Sequence, residues 1–407
     1  MPEVASVLIV GAGPAGMALA YLLARRGINV TVLETHHDFA RAFRGEGLQM
    51  SGIDAIHQMG LGERLDRIPY VEARTIAMYV RGKLVVRTDA AKMGRANVRL
   101  VPQSALLESI AEAAGTFPSF RLERGVAVRE LVRENGRVVG VRAGAGAEAR
   151  EYRADLVIGA DGRNAVTRKQ SGLKELSSPQ SFDILWFKVP YTETYPDRGT
   201  AMVDVGEKRI GLAFPTADNH LQAGFIIRKG EYAALRARGA EQWTEELIAG
   251  LPAFLGDHLR AHRNLVAAAT LLDVICGRMI EWTVPGLLLI GDAAHPMSPV
   301  GGQGVNIALR DALVAANHLV PTLLAGSDGV TIDSAAQRVR DERWPEIVAA
   351  QDMQQHQARM MFAPDNWRGR MMYRMIPLLM RTGLMPWLNR KEYKLMSQGV
   401  VPVKLVV

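Results

Sequence analysis

The chain has 407 residues, of which 48% are hydrophobic and 22% charged, a composition ordinary for a globular protein of two or three domains. The only cysteine, Cys276, excludes an internal disulfide framework and favours a reducing, cytoplasmic location. The formal charge is +7, but the arginines are spread along most of the chain without interleaved aromatic residues, which argues against a nucleic-acid partner.

The first predicted elements lie in an apolar stretch, residues 4–24, that could be mistaken for a signal peptide or a membrane span. Glu3 precedes this stretch instead of a basic segment, and several glycines interrupt it. The pattern instead predicts a buried strand over 7–10, a glycine turn, a helix over 17–26 and a second strand over 29–33.

The turn between the first strand and the helix reads GAGPAG and spaces Gly11, Gly13 and Gly16 as G-x-G-x-x-G. Gly11 permits the turn, Gly13 lets a pyrophosphate approach the backbone, and Gly16 lets the helix pack on the sheet. Glu34 follows the second strand, where it can hold ribose hydroxyls. These residues predict a dinucleotide site and leave NAD and FAD as alternatives.

Two further motifs follow apolar strands later in the chain. Residues 159–168 read GADGRNAVTR, and Asp161 and Gly162 end the strand before them. Residues 291–312 read GDAAHPMSPVGGQGVNIALRDA, a glycine-rich loop that leads into a helix from Val305 onward. Glycines allow this loop to approach a flat ligand, and the N-H groups at the start of the helix would favour negative charge on it.

With GAGPAG, GADG and GDAAH in this order, the chain resembles the single-component flavoprotein aromatic hydroxylases, whose fold is typified by para-hydroxybenzoate hydroxylase. The resemblance covers nearly the whole chain. It implies an α/β fold with a Rossmann-like FAD-binding domain, an antiparallel β-sheet substrate domain and a C-terminal helical segment. The sequence pattern divides these as 1–72, 97–180 and 268–345 for FAD, 73–96 and 181–267 for substrate, and 346–407 for the C-terminal segment.

The resemblance also assigns roles to individual positions. Arg44, in a loop near the flavin, and Pro299, beside it, are the two positions expected at the reaction. Arg168 closes the second motif, in which Ala165 replaces a common serine. The residues expected to contact FAD are Gly11, Gly13, Pro14, Ala15, Gly16, Glu34, Arg44, Gln103, Val128, Asp161, Asp292, Pro299, Gly304, Val305 and Asn306.

The implied activity is hydroxylation of an aromatic substrate with NADPH or NADH and O2, through a flavin C4a-hydroperoxide. The substrate is expected to be a bulky, apolar phenol or quinone-like molecule, because the central strands offer no obvious clamp for a carboxylate. The sequence does not determine whether NADPH or NADH is used, and it does not determine the oligomeric state. The residues expected to line the substrate pocket are Leu185, Phe187, Met202, Phe214 and Phe225.

Several residues receive weaker or negative assignments. Tyr191 and His220 are candidates for the base that deprotonates a phenol, while His295 is expected to order its loop and not to act in catalysis. His36 and His37 are adjacent, a spacing unsuited to joint ligation of one ion, so no metal site is predicted.

The end of the chain is rich in methionine and arginine between residues 353 and 396. This segment could cover the substrate entrance, or touch a membrane as in hydroxylases of lipid quinones, but its arginines exclude a spanning helix. A geranylgeranyl-reductase-like enzyme and a non-catalytic FAD-binding protein remain alternatives. A flavin halogenase is disfavoured, because the chain has no W-x-W-x-I-P stretch.

Overall fold

The computed structural model of the chain describes residues 3–40, 47–93, 98–144, 149–207, 209–361, 371, 375, 378 and 397–407. The described strands, in chain order, are β1 (Glu3–Val10), β2 (Val30–Glu34), β3 (Gly47–Leu48), β4 (Val71–Ala73), β5 (Thr75–Val80), β6 (Lys83–Asp89), β7 (Val98–Leu100), β8 (Phe120–Arg124), β9 (Val128–Glu134), β10 (Arg137–Ala143), β11 (Arg150–Gly159), β12 (Glu175–Ser177), β13 (Phe182–Pro190), β14 (Thr200–Val205), β15 (Ile210–Pro215), β16 (His220–Arg228), β17 (Thr270–Leu272), β18 (Gly277–Met279), β19 (Thr283–Val284) and β20 (Leu287–Leu289). The described α-helices are α1 (Pro14–Arg25), α2 (Met50–Gln58), α3 (Gly62–Arg67), α4 (Gln103–Ala114), α5 (Val166–Ser171), α6 (Glu231–Arg236), α7 (Ala240–Ile248), α8 (Ala253–Ala261), α9 (Arg263–Ala267), α10 (Gly304–Leu324) and α11 (Gly329–Met361).

The larger sheet has the order β19-β20-β11-β1-β2-β8, with β10 and β9 continuing from β11. Its centre is parallel: Val7 of β1 lies opposite Val30 of β2 on one side and Leu156 of β11 on the other. The apolar runs of these strands are buried on both faces, which is the pattern of a parallel sheet covered by helices. All three glycine-rich motifs follow strands of this sheet.

Helices α1 and α10 pack together and, with the sheet, enclose the main hydrophobic core. Proline at the first position of α1 has the backbone angle a helix needs and lacks an N-H that would be unsatisfied there. Among the described helices, one stretch, Val300–Leu324, is long and apolar enough to cross a membrane, but 72% of its apolar window is buried inside the protein. Its apolar length therefore reflects a core helix of this fold.

The second sheet has seven strands in the order β17-β13-β16-β15-β14-β5-β6. The prediction of an antiparallel sheet holds for each pair except β14 and β5, which are parallel. These two strands come from separate parts of the chain, so no tight turn forces them to be antiparallel. The sheet also reaches Leu272, past the predicted boundary at residue 267.

Helix α11 runs without a break through the predicted boundary between residues 345 and 346. The last residues return to the FAD side of the molecule, where the Leu405 N-H donates to Gln58 (2.7 Å) and Asn317 donates to the Lys404 carbonyl (2.7 Å). Residues 399–407 form no helix or strand. The C-terminal segment is thus helical at its start, and its last nine residues lie outside helices and strands.

A buried aspartate joins β13, β16 and β17 at one end of the second sheet. Asp183 accepts from the Lys229 ammonium (2.7 Å) and from the backbone N-H groups of Gly230 (2.9 Å) and Val274 (3.1 Å). Burial alone would raise the pKa of Asp183, but the bond from Lys229 and the two amides outweigh it and lower the pKa.

Replacing Asp183 by asparagine is expected to lower the free energy of unfolding at neutral pH by about 2 kcal/mol, because the charge and part of the acceptor capacity are lost. The carboxylate stabilises the fold fully above the pKa of an unfolded aspartate, and this contribution disappears as the pH falls through its lowered folded value. Urea unfolding at neutral and acidic pH should therefore show a gap between wild type and variant that closes in acid. Asp273→Asn, which changes an exposed partner of the same lysine, should have little effect.

Candidate active site

The first glycine loop and the acid at the end of β2 are joined by hydrogen bonds. Glu34 is buried and accepts from the N-H of Ala12 (2.9 Å) and from the N-H of His36 (3.0 Å). Gly13 is the N-cap of α1, with Pro14 and then the buried Ala15 in its first turn. A carboxylate, a glycine turn and a helix N-terminus thus meet in one place.

The second motif places its aspartate directly after β11, beside the first loop. Asp161 accepts from both the N-H (3.0 Å) and the hydroxyl (2.5 Å) of Thr167, and burial raises the pKa of its carboxyl against these bonds. Thr167 supplies a hydroxyl two residues after Ala165. Arg168 donates to the backbone carbonyls of Asp292 (3.1 Å) and Ala293 (3.4 Å), so the second and third motifs are held together.

The third motif forms two short 3-10 turns and then α10. Gly304 and Val305 are its first helical residues, where backbone N-H groups lack partners within the helix. The Asn306 side chain is fully buried; it accepts from the N-H of Gln49 (2.9 Å) and donates to the Gly47 carbonyl (3.1 Å). The side chain of Asn306 therefore holds the segment at Gly47 and Gln49. The backbone at the start of α10 is then left to face a ligand.

These three strand ends, each with glycine-rich backbone and a helix start, lie along one edge of a parallel sheet, the position at which such sheets bind nucleotides. The family described as FAD binding domain matches residues 4–345. A 6-methylpretetramide 4-monooxygenase of Streptomyces rimosus is 35% identical over 367 residues, which cover 88% of this chain and 84% of that protein. The chain belongs to the FAD-dependent aromatic monooxygenase family. This monooxygenase uses FAD as its cofactor, with NAD(P)H and O2 as co-substrates, as the family resemblance implied.

Other relatives agree with this family and fold. A rifampicin monooxygenase of Streptomyces venezuelae is 28% identical, and the match covers 87% of this chain and 71% of that protein. The solved p-nitrophenol 4-monooxygenase PnpA of Pseudomonas putida has a TM-score of 0.76 at 18% identity, covering 98% of this chain and all of that one. PqsL of Pseudomonas aeruginosa has a TM-score of 0.75 at 19% identity, covering 88% and 97%. These two structures show the same fold.

Three further predicted FAD residues of the monooxygenase lie outside the three motifs. Gln103 is the first residue of α4, and Val128 begins β9, just after Val126, whose N-H donates to the Glu34 carbonyl (2.9 Å). Arg44 falls in residues 41–46, outside the described part of the chain.

Four of the five predicted pocket residues lie on the face of the second sheet that packs against helices. Side chains alternate between the faces of a strand, and β13 pairs Leu185 with Phe225 of β16 on the same face. That face packs under α6 to α9, in a cluster with Trp243 and Leu247. The four predicted residues on this face are Leu185, Phe187, Met202 and Phe225.

The opposite face of the sheet meets the loop of the third motif, residues 291–303, which we call the flavin loop. Trp186 of β13 and Ile226 of β16 form a buried cluster with Val300 of the third motif, and Phe214 packs against it. The rings of Trp186 and Phe214 lie edge to face with centroids 6.2 Å apart. Of the five predicted pocket residues, Phe214 is the one on this side. Trp186 lies there too, and the sequence did not single it out because apolar residues occupy both faces of β13.

The two candidate bases are also placed. Tyr191 packs against the cluster under α6 to α9, and its ring stacks below Arg198 (4.2 Å). His220 lies at the start of β16 and contacts the Asp218 carbonyl through Nδ1 (2.8 Å). Tyr191 is therefore on the side of the sheet away from the loop.

A buried network of charged side chains from α10 and α11 contacts the third motif. His295 Nε2 lies 2.7 Å from Asp311, which also accepts from the Gly291 N-H (3.0 Å) and from Arg343 Nε (2.7 Å). Arg343 in turn contacts Glu346. His295 is placed to order its loop, as expected, while Arg343 and Glu346 gave no recognisable motif in the sequence.

Proposed function

We propose that this monooxygenase hydroxylates a bulky, apolar phenol or quinone-like molecule held between the flavin loop and the second sheet. The observation that carries this proposal is the apolar face formed by Trp186, Phe214 and Ile226 against Val300. Aromatic side chains at edge-to-face spacing suit a flat aromatic ring. The related enzyme named for 6-methylpretetramide supplies the first compound to test.

The basic residues of the central strands support an uncharged substrate. Arg209 is buried and committed to Asp204, and it also donates to the carbonyls of Leu247 (2.8 Å) and Ala249 (3.0 Å). Lys188 pairs with the Asp218 carboxylate (2.9 Å). Because these cations already have acidic partners, a substrate carboxylate would compete poorly for them.

The substrate assignment is tested by anaerobic reduction of the FAD-loaded enzyme with NADPH and with NADH. Stopped-flow absorbance should show faster loss of the visible flavin band with 6-methylpretetramide or a polycyclic phenol than with para-hydroxybenzoate. Turnover under labelled O2 should then place one labelled oxygen atom in the product. If no compound accelerates reduction and no labelled product forms, the proposed substrate class is rejected. Reduction of a ligand double bond without label would instead support an alkene reductase.

The face assignment gives a separate prediction. Phe214→Ala, on the side of the loop, is expected to raise KM for the active phenol by at least about tenfold, because it removes apolar contact to the substrate. Met202→Ala, on the helix side, is expected to leave KM near wild type and to cost about 2–5 kcal/mol of stability through a core cavity. Steady-state kinetics and urea unfolding of both variants check this, and the reverse pattern would show that the substrate binds the other face.

We further propose that the predicted FAD contacts act as the resemblance implies, including Arg44 and Pro299 at the reaction. Support comes from the positions of Glu34, Asp161 and the first turn of α10 along one sheet edge. FAD bound there would supply the redox chemistry, while these residues hold its ribose, phosphates and ring.

The predicted domain division, with the second boundary moved to residue 272, is supported by two separate hydrophobic cores. A cytoplasmic location is supported by the single buried thiol, Cys276.

Contact with a membrane surface is a second candidate property. Met371, Met375 and Leu378 are spaced as one face of a helix and are 53%, 42% and 55% exposed. Exposed apolar residues in a stretch of sequence rich in arginine suit a lipid surface. Co-sedimentation with vesicles of anionic and of neutral phospholipid tests this, with Met371→Ser/Met375→Ser/Leu378→Ser as the matched variant. Equal recovery of both proteins in the supernatant would count against a lipid-quinone substrate.

A further inference from the structure

Side-chain amides from α11 hold the loop that contains Pro299. Gln354 Nε2 donates to the carbonyls of both Ser298 and Val300, at 2.9 Å each. One turn earlier, Gln351 Nε2 donates to the Pro296 carbonyl (3.3 Å). Alternate carbonyls along this stretch are therefore drawn toward the same helix.

The next two carbonyls of the loop are held from the other side. Gln49, just before α2, donates through Nε2 to the Gly301 carbonyl, and Asn306 donates through Nδ2 to the Gly302 carbonyl (2.8 Å). We call the four amides Gln49, Asn306, Gln351 and Gln354 the carboxamide clamp. The clamp fixes the peptide planes around Pro299, whose ring removes one donor and one backbone freedom from the loop.

Stability alone does not explain two members of the clamp, Gln354 and Gln49. Gln354 is fully buried, and its Oε1 has no hydrogen-bond partner in the described part of the chain; the same is true of Oε1 of Gln49. A buried acceptor without a donor carries a desolvation cost that an apolar side chain of the same shape would avoid. In both residues the donors are used on the loop while the acceptor is left unsatisfied. This pattern indicates that the amides are present for what they do to the loop.

We propose that Gln354 is a positioning residue for the flavin: by holding the carbonyls of Ser298 and Val300 it sets where Pro299 lies between the cofactor and the substrate. The proposal rests on the assignment of this loop to the FAD site and deepens the proposed function. The buried cluster around Trp186 and Ile226 also contains Val300 and, from α11, Ala358. Helix α11 therefore contacts both the loop and the sheet face proposed to bind substrate. Without the clamp, NADPH oxidation should release more hydrogen peroxide instead of oxygenating the substrate, since NADPH, a proton and O2 can yield NADP+ and H2O2 directly.

The test compares Gln354→Met, which keeps the side-chain length and removes both donated bonds, with Gln355→Met as the matched control. Gln355 is the next residue of the same helix and donates to the Ser178 hydroxyl (2.6 Å), not to a carbonyl of the loop. We expect Gln354→Met to fold, to shift the visible spectrum of bound FAD, to weaken FAD binding roughly tenfold, and to raise the fraction of NADPH recovered as hydrogen peroxide with 6-methylpretetramide present. Gln355→Met should match wild type in all three.

Three results would overturn the proposal: wild-type spectrum, affinity and peroxide fraction in Gln354→Met; the same changes in Gln355→Met; or loss of folding in both Gln354→Met and Gln354→Glu, which would make Gln354 a stability residue. Gln354→Glu keeps the shape and sets a carboxylate against the two carbonyls, so it should reproduce the spectral shift. The spectrum and FAD affinity need no substrate. If the wild type oxygenates no tested compound, the proposed substrate class fails while these two measurements still decide the role of Gln354.

Discussion

Gly16→Ala is expected to abolish FAD binding and to lower the free energy of unfolding by about 3 kcal/mol or more. A β-carbon at Gly16 would lie 2.1 Å from the carbonyl oxygen of Gly11, a backbone atom that cannot rotate away. Gly11 is itself fixed, because its N-H donates to the Leu33 carbonyl (2.8 Å) and its φ of +100° is one that side chains disfavour. Urea unfolding of the apoprotein and fluorescence titration with FAD measure the two effects.

Gly13→Ala is the matched control for this loop. A β-carbon at Gly13 meets no atom within 4 Å, and its φ of −74° is ordinary for alanine. The apoprotein should therefore be about as stable as wild type, while FAD affinity falls, because the methyl group would occupy the approach of the pyrophosphate. Wild-type stability in Gly16→Ala would contradict the packing argument, and wild-type FAD affinity in Gly13→Ala would move the pyrophosphate elsewhere.

Arg343→Met is expected to lower the free energy of unfolding by about 3–5 kcal/mol, because it removes the cation between the buried carboxylates of Asp311 and Glu346, of which only Glu346 keeps another arginine, Arg310. Arg343, Asp311 and Glu346 are all essentially without solvent exposure. Burial would raise the pKa of Asp311, but His295 and then Arg343 outweigh burial and lower it. The loop at Gly291 and His295 rests on Asp311, so FAD affinity should fall as well.

The pH dependence of this variant has a definite sign. Since the folded pKa of Asp311 is lowered, its contribution is complete above the unfolded value and is lost as the pH falls through the folded one. Removing Arg343 raises that folded pKa, so acid unfolding followed by circular dichroism should begin at a higher pH than in wild type. Arg338→Met, an exposed change on the same helix, should shift stability by no more than about 0.5 kcal/mol. Equal effects of the two substitutions would show that the network does not stabilise the fold.

Much of the FAD side could be predicted because its determinants are local in sequence. A strand, a glycine turn and a helix start fit within about twenty residues, and the positions of Gly11, Gly16 and Glu34 follow from that spacing alone. The same holds for Gly304, at the start of α10. Local backbone requirements of this kind leave few residue types acceptable, so they are visible without knowledge of the rest of the fold.

The substrate side was less predictable for a reason that Leu185 and Trp186 make plain. The alternation along β13 separates two faces, but both are apolar, so the sequence gives no choice between the face under the helices and the face toward Val300. The choice depends on which elements cover each face of the sheet. Helices α6 to α9 cover one face and the loop at Val300 covers the other, through contacts between residues far apart in the chain. A similar limit applies to Gln354, which looks like an ordinary polar residue of a long helix.

The sequence by itself determined the family, the cofactor and the strand ends at which we propose that FAD binds, because glycine spacing and strand-helix order are properties of short segments. Tertiary structure alone decided which face of the second sheet meets the flavin loop, and that Arg343 and Gln354 support this loop from α11. Those outcomes depend on packing between elements distant in sequence. The buried hydrogen bond from Gln49 to Asn306 is an example, and no local sequence pattern predicts it.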